Sequence, residues 1–425
     1  MRRAILLLLA ALAVFVSVRP LTAQKFLPKS IQFKGAPEYS DEELLAATGL
    51  KKGVVLGYTD MQGYTKRLMD SGIFASDAFK FDGQDLIFLL TPSTDLFPIR
   101  MENLPLAPGK DLDAKLHDRL PLYHGKVPAD GGLTEDVRAA LEKILAGEGL
   151  QTTVIKTMVG DPNTQNVVAV SYSIAAPPVQ VKVVHVDGVS APNQGKVEAL
   201  AGETEKAPFD TSNSASNLER AVEQFYNDKG YAAAKVHAAQ SGNPSMEAGS
   251  IVVPFSLQID EGRVYEVKSI QLPLGTPVTQ AEADKILAPT GDRPSGGVRV
   301  RTVWMLISSR YKAKGNLDCK VTPHAELDEA AGTVSYTVDV DPGPVYHLGF
   351  VKFDNVSEDL RTLLIHNWQM MPGDPFNESY VANFITIAQK QDPALRRSLA
   401  GVKAKFDATA DPRTHEVNVV IRLEK

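Results

Sequence analysis

Apolar and polar residues alternate with period two over Ile251 to Ile259, over Thr333 to Val340 and, more weakly, over Asn166 to Ile174. Each run is the pattern of a half-buried strand. Between such runs the spacing becomes helical: Leu218, Val222, Phe225 and Tyr226 share one stripe of a helix that begins near Asn213 or Ser214, where a short polar side chain can cap it. Gly230 stops that helix, and Tyr231 to Gln240 is expected as the next strand. With Val179 to Val186 as a β-branched strand and Gln194 to Ala201 as a short helix ended by Gly202, the order is strand, helix, helix, strand, strand.

Two junctions indicate that this order repeats. Asp260-Glu261-Gly262-Arg263-Val264-Tyr265 and Asp341-Pro342-Gly343-Pro344-Val345-Tyr346 lie about 80 residues apart, and each joins the end of an alternating strand to a new extended run. Ala176-Pro177-Pro178-Val179 and Phe97-Pro98-Ile99 are weaker versions. Gly72, Gly149, Gly230 and Gly315 give the same spacing independently, each at the end of an expected second helix, where glycine adopts the left-handed conformation at little steric cost. The fifth segment departs from this, closing its helix with Asp392-Pro393.

The fourth segment repeats the order with Val264 to Leu272, Gln280 to Leu287, Val300 to Lys314, Leu317 to Glu326 and Thr333 to Val340. In the fifth, the elements are Tyr346 to Phe353, Glu358 to Trp368, Glu378 to Gln391, Val402 to Ala408 and Glu416 to Leu423. The expectation is therefore an α+β chain: a tandem array of about five β-α-α-β-β units, each a small three-stranded sheet packed on two helices. Expected boundaries are 24–98, 99–178, 179–263, 264–344 and 345–425, after an N-terminal segment 1–23.

Such units, joined by an acidic residue, Gly, Val and Tyr, resemble the POTRA (polypeptide-transport-associated) repeats of outer-membrane β-barrel assembly and secretion proteins. Tyr226-Asn227-Asp228-Lys229-Gly230-Tyr231 followed by Val236 is similar to the family's helix-end pattern, and Ile259-Asp260-Glu261-Gly262 to its strand-end pattern. The likeness runs from Ile31 to Lys425 and is most specific in the last three units. It implies a binding scaffold whose partners are an outer-membrane β-barrel protein, its unfolded precursors, or an outer-membrane assembly complex. In full members of the family a barrel follows the last repeat. Here the sequence stops at Lys425, so the barrel is expected to be a separate chain, docked through the fifth unit.

The N-terminus sets the compartment. Arg2 and Arg3 precede an apolar run, Ala4 to Val18, interrupted only by Ser17, and Arg19-Pro20 ends it. This is the layout of a secretory signal peptide, shorter than the roughly 18 residues a spanning helix needs. Cleavage after Ala23 would leave an exported chain, and the resemblance implies that it lies in the periplasm, associated with the outer membrane.

The 425 residues carry a formal net charge of −6, with no clustered basic run, so nucleic acid is not an expected partner. Hydrophobic residues at 44% and charged residues at 23% are those of a globular protein. Cys319 is the only cysteine, which leaves no internal disulfide.

No nucleophile elbow, metalloprotease helix, phosphate loop or dinucleotide loop occurs, so no enzyme activity, cofactor or metal is expected. Of the eight histidines only His117 and His124 are close in sequence, and Pro121 between them breaks any shared helical face; they are expected as solvated surface residues. Cys319, Trp304 and Trp368 are expected in packing, and Glu42-Glu43 and Asp260-Glu261 as helix-start and turn charges.

Backbone chemistry remains. A three-stranded sheet has two edges, and an edge can recruit an extended peptide by β-augmentation. The resemblance implies that the second strand of a unit does this. In the third unit the candidate residues are Ala232, Ala233, Ala234, Lys235, Val236, His237 and Ala238; the small alanine side chains leave room for an incoming strand and only Lys235 and His237 blunt the edge, while tight packing on the helices would favour the same alanines. Two other roles fit the same sequence: a structural or regulatory interaction protein of the cell envelope held by an uncleaved N-terminal helix, and a stand-alone periplasmic chaperone.

Overall fold

The computed structural model describes residues 25–82, 84–106, 111–161, 166–288 and 296–424. The expected signal peptide, 1–23, lies outside them. The described residues divide into two compact units, the first carrying two sheets and the second, mostly from Pro177 onward, carrying three.

In the first unit, β1 (Ser30–Lys34), α1 (Asp41–Thr48), α2 (Tyr58–Asp70), β2 (Phe74–Asp82) and β3 (Asp85–Pro92) form a sheet of order β1-β3-β2. The last strand is central, parallel to β1 and antiparallel to β2. Ser40 caps α1 reciprocally with Glu43, satisfying two otherwise orphaned donors. Next come β4 (Leu96–Met101), α3 (Leu112–Arg119), β5 (Lys126–Pro128), α4 (Gly132–Gly147), β6 (Thr153–Gly160) and β7 (Val167–Ala176), in the order β5-β4-β7-β6.

The second unit opens with β8 (Val179–Asp187), α5 (Ala191–Glu205), α6 (Ser214–Lys229), β9 (Lys235–Gln240), β10 (Ser245–Glu247) and β11 (Ser250–Asp260). β11 is central: β8 lies parallel to it, while β9 and β10 are antiparallel to it. Its alternate residues Ile251, Val253, Phe255, Leu257 and Ile259 are all buried, as are Val197, Ala201, Leu218, Val222 and Tyr226 of the helices. β12 (Glu266–Gln271), α7 (Gln280–Leu287), α8 (Gly296–Lys312), β13 (Lys320–Asp328) and β14 (Thr333–Asp341) build the next sheet, β12-β14-β13. β15 (His347–Asp354), α9 (Glu358–Asn367), α10 (Glu378–Gln391), α11 (Pro393–Ser398), β16 (Lys403–Asp411) and β17 (Glu416–Glu424) build the last, β15-β17-β16.

The α+β class and the repeated β-α-α-β-β order match the sequence reading, with three corrections. Two sheets have four strands, not three, because the short segments Lys126–Pro128 and Ser245–Glu247 pair onto β4 and β11; the second is turned back by Ala248 and Gly249, both with positive φ. Helix α5 runs through Gly202 to Glu205, whose carboxylate accepts the Val183 amide at 2.9 Å, so a tertiary contact overrides the expected stop. The fifth segment holds a third helix, started by Asp392, whose side chain accepts from the amides of Ala394 and Leu395.

Candidate functional site

The strand expected over Tyr231 to Gln240 begins only at Lys235. Gly230 closes α6 in the left-handed conformation with φ 93°, the Tyr231 amide donates to Tyr226 O at 3.0 Å, and the Ala234 amide donates to Tyr231 O at 3.1 Å. Those donors are spent in the helix end and the turn after it, so Ala232, Ala233 and Ala234 form a turn and no strand edge. Lys235, Val236, His237 and Ala238 lie in β9.

Among the described residues, strand β9 pairs on one side only, with β11, from Lys235↔Asp260 to Gln240↔Phe255. Its other side is covered in part by side chains of α6. The Ala238 amide donates to Glu219 Oε1 at 2.8 Å, and His237 Nδ1 lies 3.2 Å from the same oxygen. Glu223 sits one helical turn further on; burial pushes its carboxyl above the usual range, the Glu219 charge adds to this, and the Val236 amide partly offsets both. Two amides that face away from β11 are thus met by carboxylates. At the far end, Gln240 Nε2 donates to Leu106 O at 2.8 Å. The sequence marks Lys235 and His237 as the groups that blunt this edge; Glu219 and Glu223 do so as well. On β6 the device recurs, the Val154 amide donating to Glu142 Oε1 at 3.0 Å.

Glu261, expected as a turn charge, is a hub. Its Oε1 accepts from the Ser190 amide at 2.9 Å, Asn193 Nδ2 at 3.0 Å and the Tyr226 hydroxyl at 2.7 Å. Burial pushes its carboxyl up, but the hydrogen bonds from Ser190, Asn193 and Tyr226 outweigh this and hold it down at about 2. The end of β11 is thereby tied to the start of α5 and the end of α6.

The remaining candidates divide. Trp368 is buried against Phe353, Tyr380 and Phe384, its Nε1–H donating to Met370 O at 2.6 Å, and Trp304 is half-buried with its ring edge on Tyr336. Both are packing residues, as expected. Cys319 is half-buried before β13, and burial pushes its thiol above the ordinary range. His117 and His124 are exposed, as expected; α3 ends at Arg119, and the chain after it turns back and brings the two rings to 5.2 Å.

Among the described residues, no helix is long and apolar enough to cross a membrane. No family model and no curated protein matches the sequence. Solved structures do resemble the chain, at low overlap. The POTRA3-5 segment of BamA from Haemophilus influenzae has 16% identity, covers 59% of this chain and 98% of its own, and superposes with a TM-score of 0.34. POTRA1-3 of Omp85 from Anabaena has 18% identity, with 59% and 96% covered and a TM-score of 0.21. CdiB from Escherichia coli has 14% identity, with 56% and 36% covered and a TM-score of 0.21. The units are POTRA-like in their own element order: a first strand parallel to the last, two helices, and a second strand antiparallel to the last.

Proposed function

We propose that the chain is an exported, non-enzymatic scaffold of five POTRA-like units, 24–98, 99–178, 179–263, 264–344 and 345–425. It works in the periplasm beside the outer membrane and assists barrel assembly or secretion there. Its partners are unfolded outer-membrane proteins, a separately encoded barrel or assembly complex, or both. The observation that carries this reading is the recurrent placement of the second strand. β2, β6, β9, β13 and β16 each pair on one side only among the described residues, leaving an outer row of backbone donors and acceptors for an extended client.

In the third sheet the client-binding edge is Lys235, Val236, His237 and Ala238, with Ala232 to Ala234 as the turn that leads into it. An incoming strand must displace Glu219 and Glu223 from the amides of Ala238 and Val236. The carboxylates therefore act as a reversible cover, which excludes weak or accidental pairing.

Fluorescence anisotropy with a labelled peptide from an unfolded outer-membrane barrel strand tests this. Glu219→Ala combined with Glu223→Ala should tighten binding by about thirtyfold, the equivalent of two hydrogen bonds of about 1 kcal/mol each no longer displaced. Unchanged or weaker binding in a variant that stays folded would remove β9 as the client edge. Docking to a barrel through the fifth unit is tested separately, by affinity capture from detergent-solubilised envelopes with the full chain and with a version ending at Gly343. Equal recovery of outer-membrane barrels by the two would exclude the fifth unit.

A further inference from the structure

We propose that Glu43, His117 and His124 form a binding site for a zinc-class divalent cation, which would clamp α1 of the first sheet to the segment around α3 of the second. His124 Nε2 lies 3.1 Å and His117 Nε2 3.3 Å from one oxygen, Glu43 Oε1, and the three ligand atoms all fall within 4.8 Å of one another. Zinc binds imidazole nitrogen and carboxylate oxygen at roughly 2.0–2.1 Å, which places neighbouring tetrahedral ligands about 3.3 Å apart. Two of the three edges already have that length.

Each ligand is oriented by a second contact. The other carboxylate oxygen, Glu43 Oε2, accepts from the Ser40 amide at 2.7 Å and from Ser40 Oγ at 2.9 Å, leaving Oε1 to face the rings. His117 Nδ1 lies 2.9 Å from Tyr123 O. A carbonyl can only accept, so Nδ1 carries the hydrogen and the neutral ring turns the lone pair of Nε2 toward Glu43. Two electron-rich atoms 3.3 Å apart then require a cation between them, either a proton on the ring or a metal ion. The Tyr39 ring packs 4.8 Å from that of His124 and fixes its orientation. Side-chain exposures of 45% for His117, 36% for His124 and 20% for Glu43 leave the remaining coordination positions open to water or to a partner's ligand.

The ligand types, two imidazoles and a carboxylate, suit zinc and its neighbours and not calcium or magnesium, which prefer all-oxygen shells. The site lies outside β9, so it stands or falls apart from the edge-binding role.

Calorimetric titration of Zn²⁺ into the untagged full chain at pH 7.5, with Co²⁺ absorption as a report on coordination, decides the matter. The key variant is Glu43→Gln, because glutamine can still accept from Ser40 and keep the helix cap while giving up the anionic ligand. His117→Ala and His124→Ala complete the set, and His185→Ala, at an exposed histidine paired with Asp187, is the control. One equivalent should bind, and each of the three ligand substitutions should weaken it by at least about tenfold, no less than the loss of an outer-shell partner costs. His185→Ala should leave the affinity unchanged. Absence of saturable binding, or equal affinity in Glu43→Gln, would overturn the site and leave the trio as ion pairs held together by a proton.

Discussion

The amide of Tyr346 donates to the carbonyl of Gly315 at 2.8 Å, and about 80 residues earlier Tyr265 makes the same bond to Gly230 at 2.9 Å. The two sequence series that mark the repeat, helix-ending glycines and junction tyrosines, are therefore bonded partners. Each bond ties the end of a second helix to the chain entering the next sheet. Gly315 and Gly230 have φ near +92° and +93°, and a Cβ on Gly315 would sit 2.6 Å from Tyr346 O, against 3.2 Å from Tyr265 O on Gly230.

Gly315→Ala should accordingly destabilise the second unit more than Gly230→Ala. The left-handed backbone alone costs a residue with a Cβ about 1–2 kcal/mol, and only Gly315→Ala adds a backbone clash that flexible side chains cannot relieve. Gly53→Ala, at φ 79° with open space around it, should show only the conformational cost. Urea unfolding of the three variants gives the order.

Glu261 makes a prediction about acid. Its carboxyl is held down at about 2 in the folded chain against an ordinary 4.5, so its stabilisation is complete above pH 4.5 and is lost as pH falls toward 2. Glu261→Gln should lower stability near pH 6 by about 1.5–3 kcal/mol, the worth of hydrogen bonds to a charged group, and should flatten the decline between pH 4.5 and 2. Urea midpoints of both proteins across that range would check it. Equal slopes would place the acid sensitivity elsewhere.

The cover on β9 predicts a local effect. Glu219→Ala removes the acceptor of the Ala238 amide, so hydrogen exchange at Ala238 should accelerate by about fivefold, corresponding to about 1 kcal/mol. Exchange at Leu257, in the central strand opposite, should not change.

Trp368→Ala should cost about 3–5 kcal/mol, because the indole fills a buried cluster with Phe353, Tyr380 and Phe384 and its N–H has a carbonyl partner. Trp304→Ala, half-buried at the Tyr336 edge, should cost less. Differential scanning calorimetry separates the two.

The elements were largely legible because they rest on local rules. Alternation over Ile251 to Ile259 and Thr333 to Val340 marks the central strands, and the left-handed positions after helices select glycine. What escaped depends on pairs distant in sequence. Glu219 and Ala238 meet only because α6 packs over β9, and nothing in either segment announces it. Glu43 lies in one sheet's first helix and His124 in a loop of the next, so their meeting belongs to the packing of two modules. Ala232 to Ala234 fall inside the strand expected from Tyr231 to Gln240, whereas the amides of Tyr231 and Ala234 are already used up closing the helix and turn.

In all five sheets the central strand is the last to appear in the sequence: β3, β7, β11, β14 and β17. A chain made or threaded from its N-terminus therefore carries, in every module but the second, where β4 already has β5, strands that have no neighbour until the final ten or so residues of that module arrive. Their pairing is all-or-none and late, with the first strand waiting across most of the module for its parallel mate. Until then the helices can form but have no sheet to close over. Loss of Glu416–Glu424 alone would leave both β15 and β16 without a partner, so removing these nine residues would dissolve a whole module instead of trimming its edge.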